Sequence, residues 1–456
     1  MTDALKINPF QHSLKGSLKL PGSKSITNRA LITAALSKGL VRLEGALFSR
    51  DTLIMIEALK ALGFEVATDP LQARIQIKGL SGAIPQKKAA LNVGNAGTAA
   101  RFITAFLALQ DGGEYFLDGD PQMRERPMKG LLDALVELGA AEFIFTEKAG
   151  HFPFKMITKG YRISEAAVDA SSSSQILSAL LLSLPASSQD TVLRCPNVRE
   201  AYIKVTEHIK VGFGATYLAE DTPGEYIVKS QGYEGPESGC YAIEPDLSAA
   251  SYFLALTLLH GGNLSIENLG EAPIQGDAEF ANILKLHGLE VQPHKAYWSL
   301  KRPLELTAMQ APLELDFTLF SDTFLTYAAI APLISSNVTL KGIAHTRHQE
   351  TDRVAAMAKE LKKLGQSVTE TEDSLQIISD LKTLKEKALA ARASGSLLKI
   401  ETYEDHRFAM SFGILGTYDL LGDGLPWLAI EDADCCSKTF PDFFNTLAQL
   451  KHASHS

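Results

Sequence analysis

The chain has 456 residues, 45% hydrophobic and 21% charged, with 44 Lys and Arg against 53 Asp and Glu. That ordinary balance excludes a disordered or collagen-like chain, and a net charge of −9 excludes binding of nucleic acid through blanket positive charge. It leaves room for a small anion, which needs only a local cluster of cations. Cys195, Cys240, Cys435 and Cys436 show neither metal-ligand spacing nor a dense disulfide framework. The longest apolar runs, 176–184 and 326–334, fall short of the ~18 residues of a membrane span. The opening Met1-Thr2-Asp3-Ala4 has no basic and apolar leader pattern, so a cytoplasmic location is expected.

Along the chain two phrases alternate. The first is an amphipathic helix closed by glycine and followed by a short strand. Its copies begin at Asp51, Arg126, Tyr202, Asp277 and Asp352 and close at Gly63, Gly139, Gly214, Gly288 and Gly365, with a sixth copy over 441–451. Apolar residues at i, i+3, i+4 and i+7 predict the helices, and glycine at C′ supplies the left-handed residue that ends them. The second phrase is a polar cluster, a helix apolar almost all round, a turn and a strand. Its copies begin at Ser23, Gly94, Ser171, Glu244, Phe320 and Glu404. All-round apolar helices belong in a core, whereas the first set carries a charged outer face. The repeat is close to 75 residues, so the expected fold is α/β: six similar units, three in each of two lobes. Punctuation by Gly and Pro places the lobe boundaries near residues 20–22 and 239–246. The expected lobes are 22–243, and 1–21 with 244–456.

The polar clusters carry the chemistry. Each is a helix N-terminus, with free backbone N–H groups and a partial positive charge that favours anions. Capping by Ser, Thr, Asp and Asn accounts for part of each cluster. It does not account for Lys24, Arg29, Arg101 and Arg407 within them, for Arg126 and Arg353 heading surface helices, or for Lys438 before another. Cations are unfavourable at a helix start unless an anion offsets them, so the pattern points to phosphate and carboxylate ligands. Asp322, at the mouth of a buried helix, and Glu350, beside Asp352 and Arg353, are candidates for acid and base or for a cap and a surface ion pair. The run Ser171–Ser174 with Gln175 suits either a hydroxyl-rich ligand contact or a linker. Gly22-Ser-Lys-Ser25 lacks the glycine spacing of a P-loop, and His345 with His348 lacks further metal ligands. Cys435 and Cys436 read as packing residues.

The motifs Leu20-PGSKSITNRA-Leu31, Gly94-NAGTAARF, Arg124-ERPM, Ser173-SQ, Glu350-TDR, Thr402-YEDHRFAM and Ser437-KTFPDFF occur in one order, and with them the chain resembles the 5-enolpyruvylshikimate-3-phosphate synthases nearly end to end. The resemblance implies an enolpyruvyl-transferase-like inside-out barrel, two lobes each of three βαβαββ units, with the chain crossing between lobes twice. It implies transfer of the enolpyruvyl group of phosphoenolpyruvate to the 5-hydroxyl of shikimate 3-phosphate, on the shikimate pathway to chorismate and aromatic amino acids. Lobe closure around the substrates is expected to exclude water. No cofactor or metal is implied, nor a nucleic-acid or membrane partner, and the chain is expected to be a monomer.

Residue by residue, the resemblance implies that Lys24, Ser25, Arg29, Ser173, Ser174, Gln175, Tyr202 and Asp322 hold shikimate 3-phosphate. Lys24, Gly97, Arg126, Gln175, Arg353, Arg407 and Lys438 are implied in binding phosphoenolpyruvate, and Asp322, Glu350 and Lys24 in moving protons. The 22–243 lobe would then carry the shikimate-phosphate grip and the other lobe the acidic pair and most phosphoenolpyruvate-binding arginines. Two positions depart from the family pattern. Gln349 stands where well-known members carry Lys, and Arg199 where Ser often contacts the shikimate phosphate; the expectation is that Arg199 replaces the missing charge. Gly97, rather than Ala, predicts sensitivity to glyphosate. One rival is the enolpyruvyl transferase acting on UDP-N-acetylglucosamine, but its loop cysteine is absent, Pro121 standing there. The other is a non-catalytic phosphometabolite-binding protein, which rests only on Gln349 and Arg199.

Overall fold

The computed structural model describes residues 4–198, 200–216, 222–303 and 305–455. The chain divides into two compact units, one running from Gly22 to Glu244 and the other formed by the residues up to Pro21 with those from Pro245 onward. The first ends one residue beyond the expected 243, where Ser23 N–H donates to the Glu244 carbonyl at 2.8 Å.

Three helices form the centre of each unit. In the Gly22–Glu244 unit these are Lys24–Leu36, Gly97–Leu107 and Ser174–Ser183; in the other, Leu247–His260, Phe324–Ile334 and His406–Gly416. They are buried on every side: all eleven residues of Phe324–Ile334 are, and all of Lys24–Leu36 from Ile26 onward. A side chain such as Leu325 or Ile330 leaves water completely, worth about 1.5–3 kcal/mol each, so the all-round apolar sequence dictates a central position. The helices with charged faces lie outside these bundles. Glycines 63, 139, 214, 288 and 365 all close them at positive φ, between 63° and 91°.

Among the described residues each unit has three small sheets around its central helices, and all six have the same grammar. A middle strand pairs in parallel on one side and antiparallel on the other, as in Lys88–Asn92 ∥ Asp111–Asp118, with Phe154–Lys159 antiparallel. In four sheets a buried helix joins the two parallel strands. The other two exchange partners. Strand Leu14–Lys19 leads into helix Lys24–Leu36 yet pairs with Gly262–Glu267, and Cys240–Ala242 leads into Leu247–His260 yet pairs with Lys38–Glu44. That exchange is why the chain passes twice from one unit to the other.

Three details differ from the sequence expectation. Arg126 does not head a surface helix; it follows the short helix Pro121–Glu125, and the next begins at Lys129 because Pro127 intervenes. The copy at Asp277 opens with a 3-10 turn, Gly276–Glu279, and its helix is only Phe280–Lys285. An additional helix, Leu381–Ala393, lies on the surface with only Leu384 and Ala388 buried.

Candidate active site

In the Gly22–Glu244 unit Ser23 caps helix Lys24–Leu36 and leaves Lys24 as its first residue. Lys24 Nζ lies 3.4 Å from Asp51, a buried carboxylate at the start of helix Arg50–Ala61. One turn further, Arg29 is 1% exposed and ties the unit together. Its Nε donates to Thr206 at 2.8 Å, Nη2 to Ser178 at 3.2 Å, and Nη1 to the Ser25 carbonyl at 3.1 Å and to the Ser25 hydroxyl. Its guanidinium lies over the rings of Phe102 and Tyr202, at 5.1 and 6.0 Å. Burial pulls the group down to about 10, opposed by Tyr202, so it stays charged at neutral pH.

A second cluster gathers at the start of helix Gly97–Leu107. Arg126 Nη1 donates to the carbonyl and the side-chain oxygen of Asn95, both at 3.2 Å. Arg101 donates to the Gly97 carbonyl at 3.0 Å, to Pro127 O at 2.7 Å and to the Gln175 amide oxygen at 3.0 Å. The cation that the sequence grouped with ligand contacts is thus buried into its own unit, where it sets the orientation of Gln175. A Cβ on Gly97 would stand 2.6 Å from Arg126 Nη2 and 2.8 Å from Arg101 Nη1, so only glycine lets both guanidiniums approach. Ser173 caps helix Ser174–Ser183, accepting from Gln175 N–H at 3.3 Å, and Ser174 is buried.

In the other unit Asp322, Gln349, Glu350, Arg353, Arg407 and Lys438 come together. Arg353, capped by Asp352 at the head of helix Arg353–Lys363, is 1% exposed and divides its donors among four partners. Nε and Nη2 reach Asp405 at 2.7 and 3.2 Å, Nη1 reaches Asp322 at 2.9 Å and the Gln349 amide oxygen, and Nη2 reaches Glu350 at 2.8 Å. Arg407 Nη2 takes the second oxygen of Asp322 at 2.6 Å, and Lys438 Nζ lies 3.0 Å from Glu350. Three carboxylates hold the Arg353 proton more tightly than usual despite complete burial. Asp322 is therefore ion-paired rather than a cap, and Glu350 pairs at 10% side-chain exposure rather than on an open surface. Gln349 offers Arg353 an acceptor, which a Lys there could not do. Arg199 lies outside the described residues. His345, read as a weak metal candidate, sits 2.6 Å from the Ser321 hydroxyl.

Four participants were not singled out from the sequence. Asp51 and Asp405 were legible only as helix-start acids; their pairing with Lys24 and Arg353 is tertiary. Asp277, buried beside Ser248 (2.6 Å), is pushed up to about 7 by burial and by Asp322, against the Ser248 hydrogen bond and Arg407, with Asp246 adding to the rise. Thr206, one turn after Tyr202, is the fourth. Among the described residues no helix is long and apolar enough to cross a membrane.

Residues 10–447 match the family described as EPSP synthase (3-phosphoshikimate 1-carboxyvinyltransferase). A 3-phosphoshikimate 1-carboxyvinyltransferase of Opitutus terrae is 43% identical over 459 aligned positions, covering all of this chain and 99% of that one. One from Nostoc punctiforme is 37% identical, covering 98% and 99%. The fold is similar to that of EPSP synthase from Acinetobacter baumannii, with a TM-score of 0.76 at 23% identity and coverage of 98% and 97%. It is also similar to that of the enolpyruvyl transferase NikO from Streptomyces tendae, with a TM-score of 0.68 at 16% identity and the same coverage. The chain belongs to the EPSP synthase family.

Proposed function

We infer that the chain is a 3-phosphoshikimate 1-carboxyvinyltransferase, moving the enolpyruvyl group of phosphoenolpyruvate onto the 5-hydroxyl of shikimate 3-phosphate and releasing phosphate. Family membership over nearly the whole chain carries this reading. The acid–cation cluster around Arg353 supports the residue roles.

The reaction asks for three things. The methylene carbon of phosphoenolpyruvate must be protonated, which makes the neighbouring carbon electrophilic. The 5-hydroxyl must attack that carbon and lose its proton, giving a tetrahedral phospho-ketal. That adduct must then expel phosphate while the new methyl group returns a proton. We assign the hydroxyl proton to Asp322 and the carbon and phosphate protons to Glu350 and Lys24. Arg353, Arg407 and Lys438, with Arg126 beside Gly97, are assigned to the carboxylate and phosphate of phosphoenolpyruvate; the arginine fork suits either anion and the lysine makes a point-charge contact. Lys24, Ser25, Arg29, Ser173, Ser174, Gln175, Tyr202, Asp322 and Gln349 are assigned to shikimate 3-phosphate, and Arg199 remains a candidate there.

The cluster ties binding to the acids. Arg353, Arg407 and Lys438 hold Asp322 and Glu350 directly. Substrate anions would draw on the same cations, so binding of substrate and the hold on the two acids are coupled. Glyphosate sensitivity, a cytoplasmic location and a monomeric state belong to the same reading. Phosphate release on mixing shikimate 3-phosphate with phosphoenolpyruvate tests it. Release with UDP-N-acetylglucosamine instead assigns the other enolpyruvyl transfer, and release with neither leaves only binding.

A further inference from the structure

Helix Arg353–Lys363 carries two buried charges seven residues apart, Arg353 at 1% exposure and Glu360 at 0%. Seven residues are two turns, so both lie on one face. That face grips a single segment, 401–405, at both ends. Arg353 holds Asp405 through two donors, at 2.7 and 3.2 Å. Glu360 holds the other end: its Oε1 accepts the Tyr403 phenol at 2.7 Å, and its Oε2 accepts Glu401 N–H at 3.2 Å and pairs with Lys363 at 2.6 Å.

Between the two grips the backbone does something unusual. Tyr403 and Glu404 have φ of 55° and 56°, two consecutive non-glycine residues in the left-handed region. Such a conformation persists only where surrounding contacts over-determine it. The segment runs straight into Asp405, whose Oδ1 caps helix His406–Gly416 by accepting Arg407 N–H at 2.9 Å, and then into Arg407 itself. The ring of Tyr403 is also covered by Lys359 Nζ at 5.0 Å, so the phenol is held from the same helix.

We propose that Glu360 and Tyr403 are positioning residues for the phosphoenolpyruvate end of the reaction: they hold the strained 403–404 backbone that aims Asp405 and Arg407 at their partners. The chemistry of Glu360 fits the task. Both of its oxygens accept, Oε1 from the Tyr403 phenol and Oε2 from Glu401 N–H and Lys363; a carboxamide could keep two of these contacts only by turning the phenol into an acceptor, and it would lose the charge that strengthens all three. The spacing fits as well, since one rigid helix fixes Arg353 and Arg407 relative to each other through a single segment.

This proposal rests on the assignment of Arg353 and Arg407 to phosphoenolpyruvate, and the test separates the two. Steady-state kinetics of the full chain are compared for wild type, Tyr403→Phe and Glu360→Gln, varying each substrate in turn. Loss of one part-buried hydrogen bond to a charged group is expected to raise KM for phosphoenolpyruvate about ten-fold, leaving KM for shikimate 3-phosphate within about two-fold. Amides of 401–405 should exchange faster in Tyr403→Phe than in wild type. An active wild type whose variants alter both KM values equally, or neither, overturns the positioning role of Glu360 and Tyr403. A wild type that turns over shikimate 3-phosphate but whose Arg407→Ala variant keeps its KM for phosphoenolpyruvate overturns the site assignment instead. Glu360→Gln guards against misfolding of a truncated variant, since it keeps the shape of the side chain.

Discussion

Replacing Arg353 by alanine should strand one carboxylate, and the structure says which one. Asp322 keeps Arg407 at 2.6 Å and Glu350 keeps Lys438 at 3.0 Å. Asp405, with a side chain 0% exposed, keeps the Arg407 backbone N–H at 2.9 Å and an imidazole at 3.6 Å. Leaving a buried charge without its cation costs about 3–5 kcal/mol. For a unit of this size that lowers the melting temperature by about 6–20 °C. The decisive arm is a double variant. Asp405→Asn keeps the cap on Arg407 N–H but removes the charge. In wild type it should destabilise, because Arg353 loses its two-donor partner. In Arg353→Ala it should stabilise, because nothing charged is then stranded. Guanidinium unfolding at pH 7 of the four proteins reads the sign. If Asp405→Asn further weakens Arg353→Ala, the reasoning about the stranded carboxylate is wrong.

Gly97→Ala should leave the melting temperature within a few degrees while raising KM for phosphoenolpyruvate about ten-fold, since its Cβ displaces the ends of Arg126 and Arg101; an unchanged KM contradicts the packing argument. Asp277, pushed up to about 7, binds a proton in the folded chain that the unfolded chain has already lost above its ordinary carboxylate range. It therefore removes stability as pH rises from about 4 to about 7, on the order of 4 kcal/mol. Asp277→Asn should match wild type near pH 4 and exceed it near pH 8 in urea unfolding, and a pH-independent difference would falsify that sign. Arg199→Ala should raise KM for shikimate 3-phosphate and leave that for phosphoenolpyruvate alone; no change removes the compensation argued from Gln349.

How much of this was legible in the sequence depended on whether the signal was local. Glycine at C′ is a one-residue signal, and all five closing glycines take positive φ. An all-round apolar helix such as Phe324–Ile334 has no solvent-facing side to offer, so its burial followed from composition. Helix Leu381–Ala393, rich in Lys and Ala and burying only two residues, carries no apolar stripe and gave no such signal. At the site, the residue types and helix starts were visible, but the partners were not. Arg101 and Arg126 both read as ligand cations, yet Arg101 is consumed by Gly97 O, Pro127 O and Gln175, whereas Arg126 is held by Asn95 through Nη1 alone. Asp405 looks like a cap and is one, while its second oxygen serves Arg353 from 52 residues away.

The central claim, enolpyruvyl transfer by addition and elimination, is tested most directly by running the reaction in deuterium oxide and analysing the product by mass spectrometry and NMR. Protonation of the methylene carbon creates a methyl group that must give back one hydrogen when phosphate leaves. The account predicts one phosphate per 5-enolpyruvylshikimate 3-phosphate formed, with solvent deuterium in the vinyl methylene. Product without deuterium would contradict the protonated-carbon route, and the absence of product with shikimate 3-phosphate would contradict the transferase assignment itself.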